Sequence, residues 1–141
     1  MLLNVSYKDP EIKRAIENAV GKPFTLVERF KLGGIGSPKL RINSASLDIH
    51  NLLVLDNNLN TCNVELRPSG IIVRFRSLLE TFALVIPYYK LSLYKGKAEE
   101  YSIYRDQYFI KVKADQKNIH QFFKKVLSEK ADKQHDTVDD L

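Results

Sequence analysis

Between Cys62 and Leu127 the hydrophobic pattern runs with a period of two and then turns helical. Cys62, Val64 and Leu66 alternate with Asn63 and Glu65; Ile71, Val73 and Phe75 alternate with Ile72, Arg74 and Arg76. Alternation predicts half-buried strands, because successive strand side chains point to opposite faces. Arg67-Pro68-Ser69-Gly70 separates the two runs, with Pro and Gly at the second and fourth positions that a type I turn prefers. The register follows. Pairing Leu66 with Ile71 also sets Val64 opposite Val73 and Cys62 opposite Phe75, whereas a one-residue slip would oppose apolar to charged faces. Glu65 then lies diagonal to Arg74.

Residues 82–86 are apolar on both faces and predict a strand buried on two sides or one facing a barrel interior. Pro87 removes a ladder donor and places a bend or an edge there. Tyr89, Leu91 and Leu93 resume the alternation, so a single bent strand is expected over 82–94. Lys95-Gly96-Lys97 and Arg105-Asp106-Gln107 read as turns around strands at 99–105 and 107–113, with Tyr108, Ile110 and Val112 inward and Lys111 and Lys113 outward. Asp115 then offers an N-cap. Ile119, Phe122, Phe123, Val126 and Leu127 follow at i, i+3, i+4, i+7 and i+8, one apolar helical stripe. A meander leaves an apolar face uncovered, so this helix is expected to plug or cover the sheet.

Upstream, Asp9-Pro10 opens a helix over residues 10–20, with Ile12, Ala15, Ile16, Ala19 and Val20 on one stripe and Gly21 to end it. Residues 24–31 and 39–55 read as extended, the second interrupted near Asn43-Ser44. Asp56 to Asn60 carries turn chemistry. Gly33 to Pro38 reads as a flexible loop. Its Gly34-Ile35-Gly36 is not a dinucleotide fingerprint, which needs a glycine where Lys39 stands, and no Gly-Lys-Ser/Thr ends it as in a Walker loop.

The expected class is therefore mainly β (α+β), seven antiparallel strands with a helix at each end. The expected organisation is an N-terminal helical extension at 1–23, a strand-rich domain with its helix at 24–130, and a polar acidic tail at 131–141. At 141 residues the chain suits one domain with a real core. Its single Cys62 rules out an internal disulfide and a Cys-based zinc site, which fits a reducing cytoplasm. Met1 to Val5 shows no secretory signal pattern, and no apolar run reaches bilayer length. Net charge is +5, unevenly spread: residues 71–130 hold twelve Lys or Arg against six Asp or Glu, and residues 131–141 one Lys against four Asp. A basic body attracts anions, although a modest charge is usually a solvated surface.

The stretch from Cys62 to Leu127 resembles the pleckstrin-homology-like barrel, in particular its bacterial and GRAM-type members. Val64 to Val73 resembles the family's hairpin, Ile86-Pro87-Tyr88 its Ile-Pro entry into the next strand, and Ile119 to Leu127 its capping helix. The resemblance implies a seven-stranded barrel closed by the helix, and a binding module without an invariant catalytic motif. In lipid-binding members, basic residues around the first hairpin hold phosphoinositide headgroups. Lys31, Lys39 and Arg41 fit that loose pattern, if 24–31 and 39–55 are the first two strands.

Two further surfaces stand out. Arg74 and Arg76 share a face, as do Lys111 and Lys113, and together they offer a basic platform or simply the solvated side of a sheet. Six of seven tyrosines fall between 88 and 108 among Lys90, Lys95, Lys97 and Arg105, a composition that can stack bases. Alternation turns Tyr89, Tyr101 and Tyr108 inward and leaves Tyr88, Tyr94 and Tyr104 for a partner. His50, His120 and His135 lack metal-ligand spacing. Ser44, Ser46, Asp48 and His50 carry hydrolase residue types without a nucleophile elbow, and Glu99-Glu100 sits in a turn. The expectation is a non-catalytic module with no cofactor and no metal, engaging a protein or peptide. The alternatives are an anionic headgroup or, less favoured, single-stranded nucleic acid.

Overall fold

The computed structural model describes residues 1–55, 60–96 and 99–139, with side chains to Lys133. Its strands are β1 (Leu2–Asn4), β2 (Leu40–Ala45), β3 (Thr61–Arg67), β4 (Gly70–Ser77), β5 (Glu80–Pro87), β6 (Ser92–Lys95), β7 (Glu100–Arg105) and β8 (Tyr108–Lys113). The helices are α1 (Pro10–Val20), α2 (Leu26–Leu32), α3 (Leu47–Leu53) and α4 (Lys117–Asp139), with a single 3-10 turn at Tyr88–Lys90. The strands form one antiparallel sheet in the order β1-β5-β4-β3-β2-β8-β7-β6. The β3–β4 hairpin has the register its side chains dictate: Leu66 opposite Ile71, Val64 opposite Val73, Cys62 opposite Phe75.

β2 joins the two halves of the sheet. Its Leu40 and Arg41 pair with β3, its Ile42, Ser44 and Ala45 pair with β8, and the register shifts between Ile42 and Ser44. A bulge bends a strand and re-aims it, so this irregularity, at the Asn43-Ser44 interruption, is where the sheet turns a corner. The inner faces of both halves, α3, and Ile119, Phe122, Phe123 and Val126 of α4 make the main core. Phe123 is fully buried and stacks on Tyr101 with ring centroids 4.4 Å apart. α4 thus covers the apolar face that the meander leaves open.

A second core lies on the other side of β4 and β5, where Ile16 and Val20 of α1 pack on Ile72, Ala83 and Val85. The double-sided apolar run 82–86 is explained by this: the strand is sandwiched between the main core and α1. Asp9 caps α1 by accepting from the Glu11 N–H, as its place before Pro10 predicts.

Several expectations need correction. Among the described residues there are eight strands, not seven, and the sheet is not closed; β1 and β6 end it. β1 is only three residues, too short for periodicity to register, and exists by pairing with β5. Residues 24–31 hold a helix rather than a strand. Thr25 and Glu28 form a capping box that starts it, and Gly33 in the left-handed region (φ 72°) ends it. Residues 39–55 split into β2 and α3, Ser46 being the N-cap position between them. Residues 82–94 split at Pro87 into β5, the 3-10 turn and β6. The loop 34–37 is pinned along β3: Ile35 C=O accepts from Leu66 N–H, and Ser37 N–H donates to Val64 C=O. The Asp56–Leu59 part of the expected turn, Lys97, and Asp140 and Leu141 of the tail lie outside the described residues.

Candidate functional site

Leu40, Cys62 and Phe75 are buried and aligned across β2, β3 and β4. Alternation therefore places their chain neighbours on the opposite, outer face: Lys39 and Arg41, Thr61 and Asn63, Arg74 and Arg76. Of the basic residues here, Lys39, Arg74 and Arg76 line a cleft of about 790 Å³ together with the neutral donors Asn60, Thr61, Asn63 and Thr81. Leu78 and Leu79 of the β4–β5 turn line it too. No acidic residue does, among those described. The cleft sets three basic side chains and several neutral hydroxyls and amides beside an apolar wall of Leu53, Cys62, Phe75, Leu78 and Leu79.

Arg74 is held in place. Glu65 receives its Nη1 at 2.6 Å and, through the other carboxylate oxygen, Arg67 Nε at 2.5 Å. Burial pushes the Glu65 carboxyl up, but the hydrogen bonds from Arg67 and Arg74 outweigh it and hold the group below the usual carboxylate range. The diagonal Glu65–Arg74 pair is the one the hairpin register predicts. Lys39, Arg41 and Arg76 are exposed and form no ion pair among the described residues.

The expected Lys31–Lys39–Arg41 clamp is divided. Lys31 sits on α2, which is a helix, so the strand-to-strand spacing that would have brought it to Lys39 does not exist. Arg41 is exposed beside Thr61, its partner across the ladder, but does not line the cleft. Arg74 and Arg76, read from sequence as a separate surface, are the residues that join Lys39. Thr61 and Thr81 carry no sequence signal of their own, and Asn63 only its outward position; extending the register from β4 to its two neighbours brings all three beside Arg74 and Arg76. Leu78 and Leu79 carry no Gly, Asn or Pro signal, although Leu78 takes the left-handed conformation (φ 58°) that such residues favour.

The tyrosines divide differently from strict alternation. Tyr88 is buried, its hydroxyl donating to Arg67 C=O, and Tyr89 is exposed, which reverses the expectation for both. The cause is the 3-10 turn after Pro87, which advances side chains by about a third of a turn per residue instead of a half. Burial, with the Glu129 carboxylate adding to it, pushes the Tyr88 phenol well above its ordinary range. Tyr101 is core, whereas Tyr94 is exposed and meets the half-buried Tyr104 edge-on at 5.7 Å. A base-stacking platform is thereby reduced to that one pair. Lys111 lies over the Phe109 ring, and Lys113 pairs with Asp115 at 3.5 Å, three strands away from Arg74 and Arg76.

The remaining polar candidates are structural or dispersed. Ser46 is buried and exchanges hydrogen bonds with the Phe109 backbone, tying α3 to β8. His120 Nδ1 lies 3.2 Å from the Tyr101 hydroxyl, and His50 is exposed on α3. Among the described residues no three His, Cys, Asp or Glu side chains converge as metal ligands, and no helix is long and apolar enough to cross a membrane. The chain matches no family model, no curated protein and no solved structure.

Proposed function

We propose that this chain is a non-catalytic binding module of pleckstrin-homology-like architecture whose cleft takes a phosphorylated, polyanionic group. The observation that carries the reading is the convergence of Lys39, Arg74 and Arg76 on one cleft that no acidic residue lines among those described. A phosphate needs charge and donors together. The guanidinium of Arg76 and the ammonium of Lys39 supply charge, while Thr61, Thr81 and Asn63 supply neutral donors. Glu65 orients Arg74 beforehand, which lowers the side-chain entropy lost on binding. Support for the architecture is the seven antiparallel strands β2 to β8 followed by an amphipathic helix whose Phe122 and Phe123 enter the core. A lone buried thiol at Cys62 suits a cytoplasmic setting.

The test is calorimetric titration with a soluble inositol polyphosphate, beside sedimentation with vesicles that carry phosphorylated headgroups. Binding is expected to be saturable, to weaken with salt, and to weaken roughly tenfold or more in K39E/R76E. Binding to the soluble form alone identifies a free ligand; binding to the vesicle alone identifies a lipid. Absence of saturable binding to either at low salt ends the reading.

A second reading, an extended peptide or protein partner, rests on β6. Among the described residues that strand pairs only with β7 and ends the sheet, and Tyr94 and Tyr104 line a shallow depression of about 440 Å³ with Ser92 and Asp106. A free strand edge with exposed aromatics suits strand addition. Y94A is expected to lose a peptide bound this way, while K39E/R76E retains it.

A further inference from the structure

Helix α2 buries none of its own residues and packs closely on no other helix or strand. Thr25 Oγ1 accepts from Glu28 N–H and Glu28 Oε1 accepts from Thr25 N–H, closing its start. At its end Gly33 and Gly34 N–H groups cap the last turn, and Lys125 Nζ from α4 donates to Gly34 C=O at 3.2 Å. Phe24 before it and Ile35 after it pack on the main core. The helix is therefore well capped and tethered through its flanks, standing off the rest of the fold. What it displays is apolar: Leu26 is 81% exposed, Val27 65% and Phe30 88%.

At about 100° per residue, Leu26, Phe30 and Val27 fill a single outward arc. Arg29 flanks the arc on one side and Lys31 on the other, while Glu28 lies behind it, engaged in the cap. A narrow apolar stripe between two cations is the pattern of a helix that lies in a membrane interface, its rings and branches among the acyl chains and its cations at the phosphates. The area argues the same way. Three side chains expose a few hundred Å² at most, whereas a stable protein interface needs about 800 Å² on each partner.

We propose that α2 docks this protein onto the interface of an anionic lipid bilayer, with Leu26, Val27 and Phe30 inserted and Arg29 and Lys31 at the headgroups. The surface is separate from the cleft. The chain leaving α2 joins β3 at Val64–Leu66, whereas the cleft flanks the other end of β3 at Thr61–Asn63. Neither proposal depends on the other.

The chain has no tryptophan, so F30W is a single reporter at the apex of the stripe. Its emission is expected to shift to the blue on adding phosphatidylcholine vesicles with about a third phosphatidylglycerol, and to stay unchanged with phosphatidylcholine alone. Sedimentation of the tryptophan-free chain with the same anionic vesicles is expected to fall roughly tenfold in L26S/F30S. Three results overturn the proposal: no emission shift with anionic vesicles at low salt, equal sedimentation of L26S/F30S and the natural chain, or a concentration-dependent dimer that L26S/F30S abolishes. Vesicle binding lost in K39E/R76E but kept in L26S/F30S assigns the membrane contact to the cleft instead.

Discussion

Gly70 meets Val20 across the second core with no room for a side chain: a β-carbon on Gly70 would stand 2.6 Å from Val20 Cγ1 and 2.3 Å from the Ile86 carbonyl oxygen. The α1 helix and the β3–β4 hairpin are thus fitted to each other at one glycine. The fit is reinforced by Ser69 N–H donating to Val20 C=O and Arg67 Nη1 donating to Gly21 C=O.

Gly70→Ala is expected to cost about 2–4 kcal/mol, since neither the Ile86 backbone nor the packed Val20 yields cheaply. Urea unfolding measures it. The clash with Val20 can be isolated: Val20→Ala should cost less in the Gly70→Ala background than alone. Strict additivity of the two would show that Val20 is not the obstruction.

Glu65 lies between Arg67 and Arg74, and Arg67 is largely buried. Glu65→Gln leaves a buried guanidinium short of its counter-charge and is expected to destabilise by about 2 kcal/mol at neutral pH. The sign of the pH dependence follows from the depressed folded-state value. The unfolded carboxyl binds its proton first as pH falls, so the stabilisation is complete above the ordinary glutamate range. It is lost as pH drops through the lower, folded value. Stability curves of the natural chain and Glu65→Gln should therefore converge in acid, and parallel curves would contradict the pairing.

Cys62 is buried in the main core, and burial pushes its thiol up to about 12. A buried thiol without thiolate character is inert. Ellman's reagent is expected to modify it only as the core opens, with a rate that climbs with urea alongside global unfolding. Labelling at the speed of a free thiol in native buffer would place Cys62 outside the core.

Phe123 stacks on Tyr101 and is sealed by Phe122 beside it. Phe123→Ala is expected to cost about 3–5 kcal/mol, and Phe123→Leu distinctly less, because leucine refills most of the space. Thermal and urea unfolding read the difference. Similar losses for both would mean that ring stacking outweighs volume at this position.

How much could be read beforehand depended on whether a segment's partners lay nearby in the chain. The β3–β4 hairpin was legible residue by residue, because two alternating runs separated by a four-residue turn allow one register. Helix α1 was equally legible through Asp9, Pro10 and Gly21, and the stripe from Ile119 to Val126 announced a helix whose face had to be covered. Helix α2 reads as a strand from its pattern, since four apolar residues in seven fit either period, although Thr25 and Glu28 spell its capping box. Tyr88 and Tyr89 exchanged places because a single 3-10 turn resets the phase that alternation assumes.

Short-range pattern, then, determined the β3–β4 hairpin and its register, helix α1, strands β7 and β8, and the need for a covering helix. Those outcomes depend on side chains a few residues apart. Tertiary structure alone decided that β1 adds to the edge of β5, that β2 bends between two halves of an open sheet, and that Lys39 meets Arg74 and Arg76. Such contacts join residues distant in sequence, and nothing in local periodicity encodes which outer faces will end up side by side. The same holds for α2: its pattern describes a stripe, but only the packed molecule leaves Phe30 facing outward.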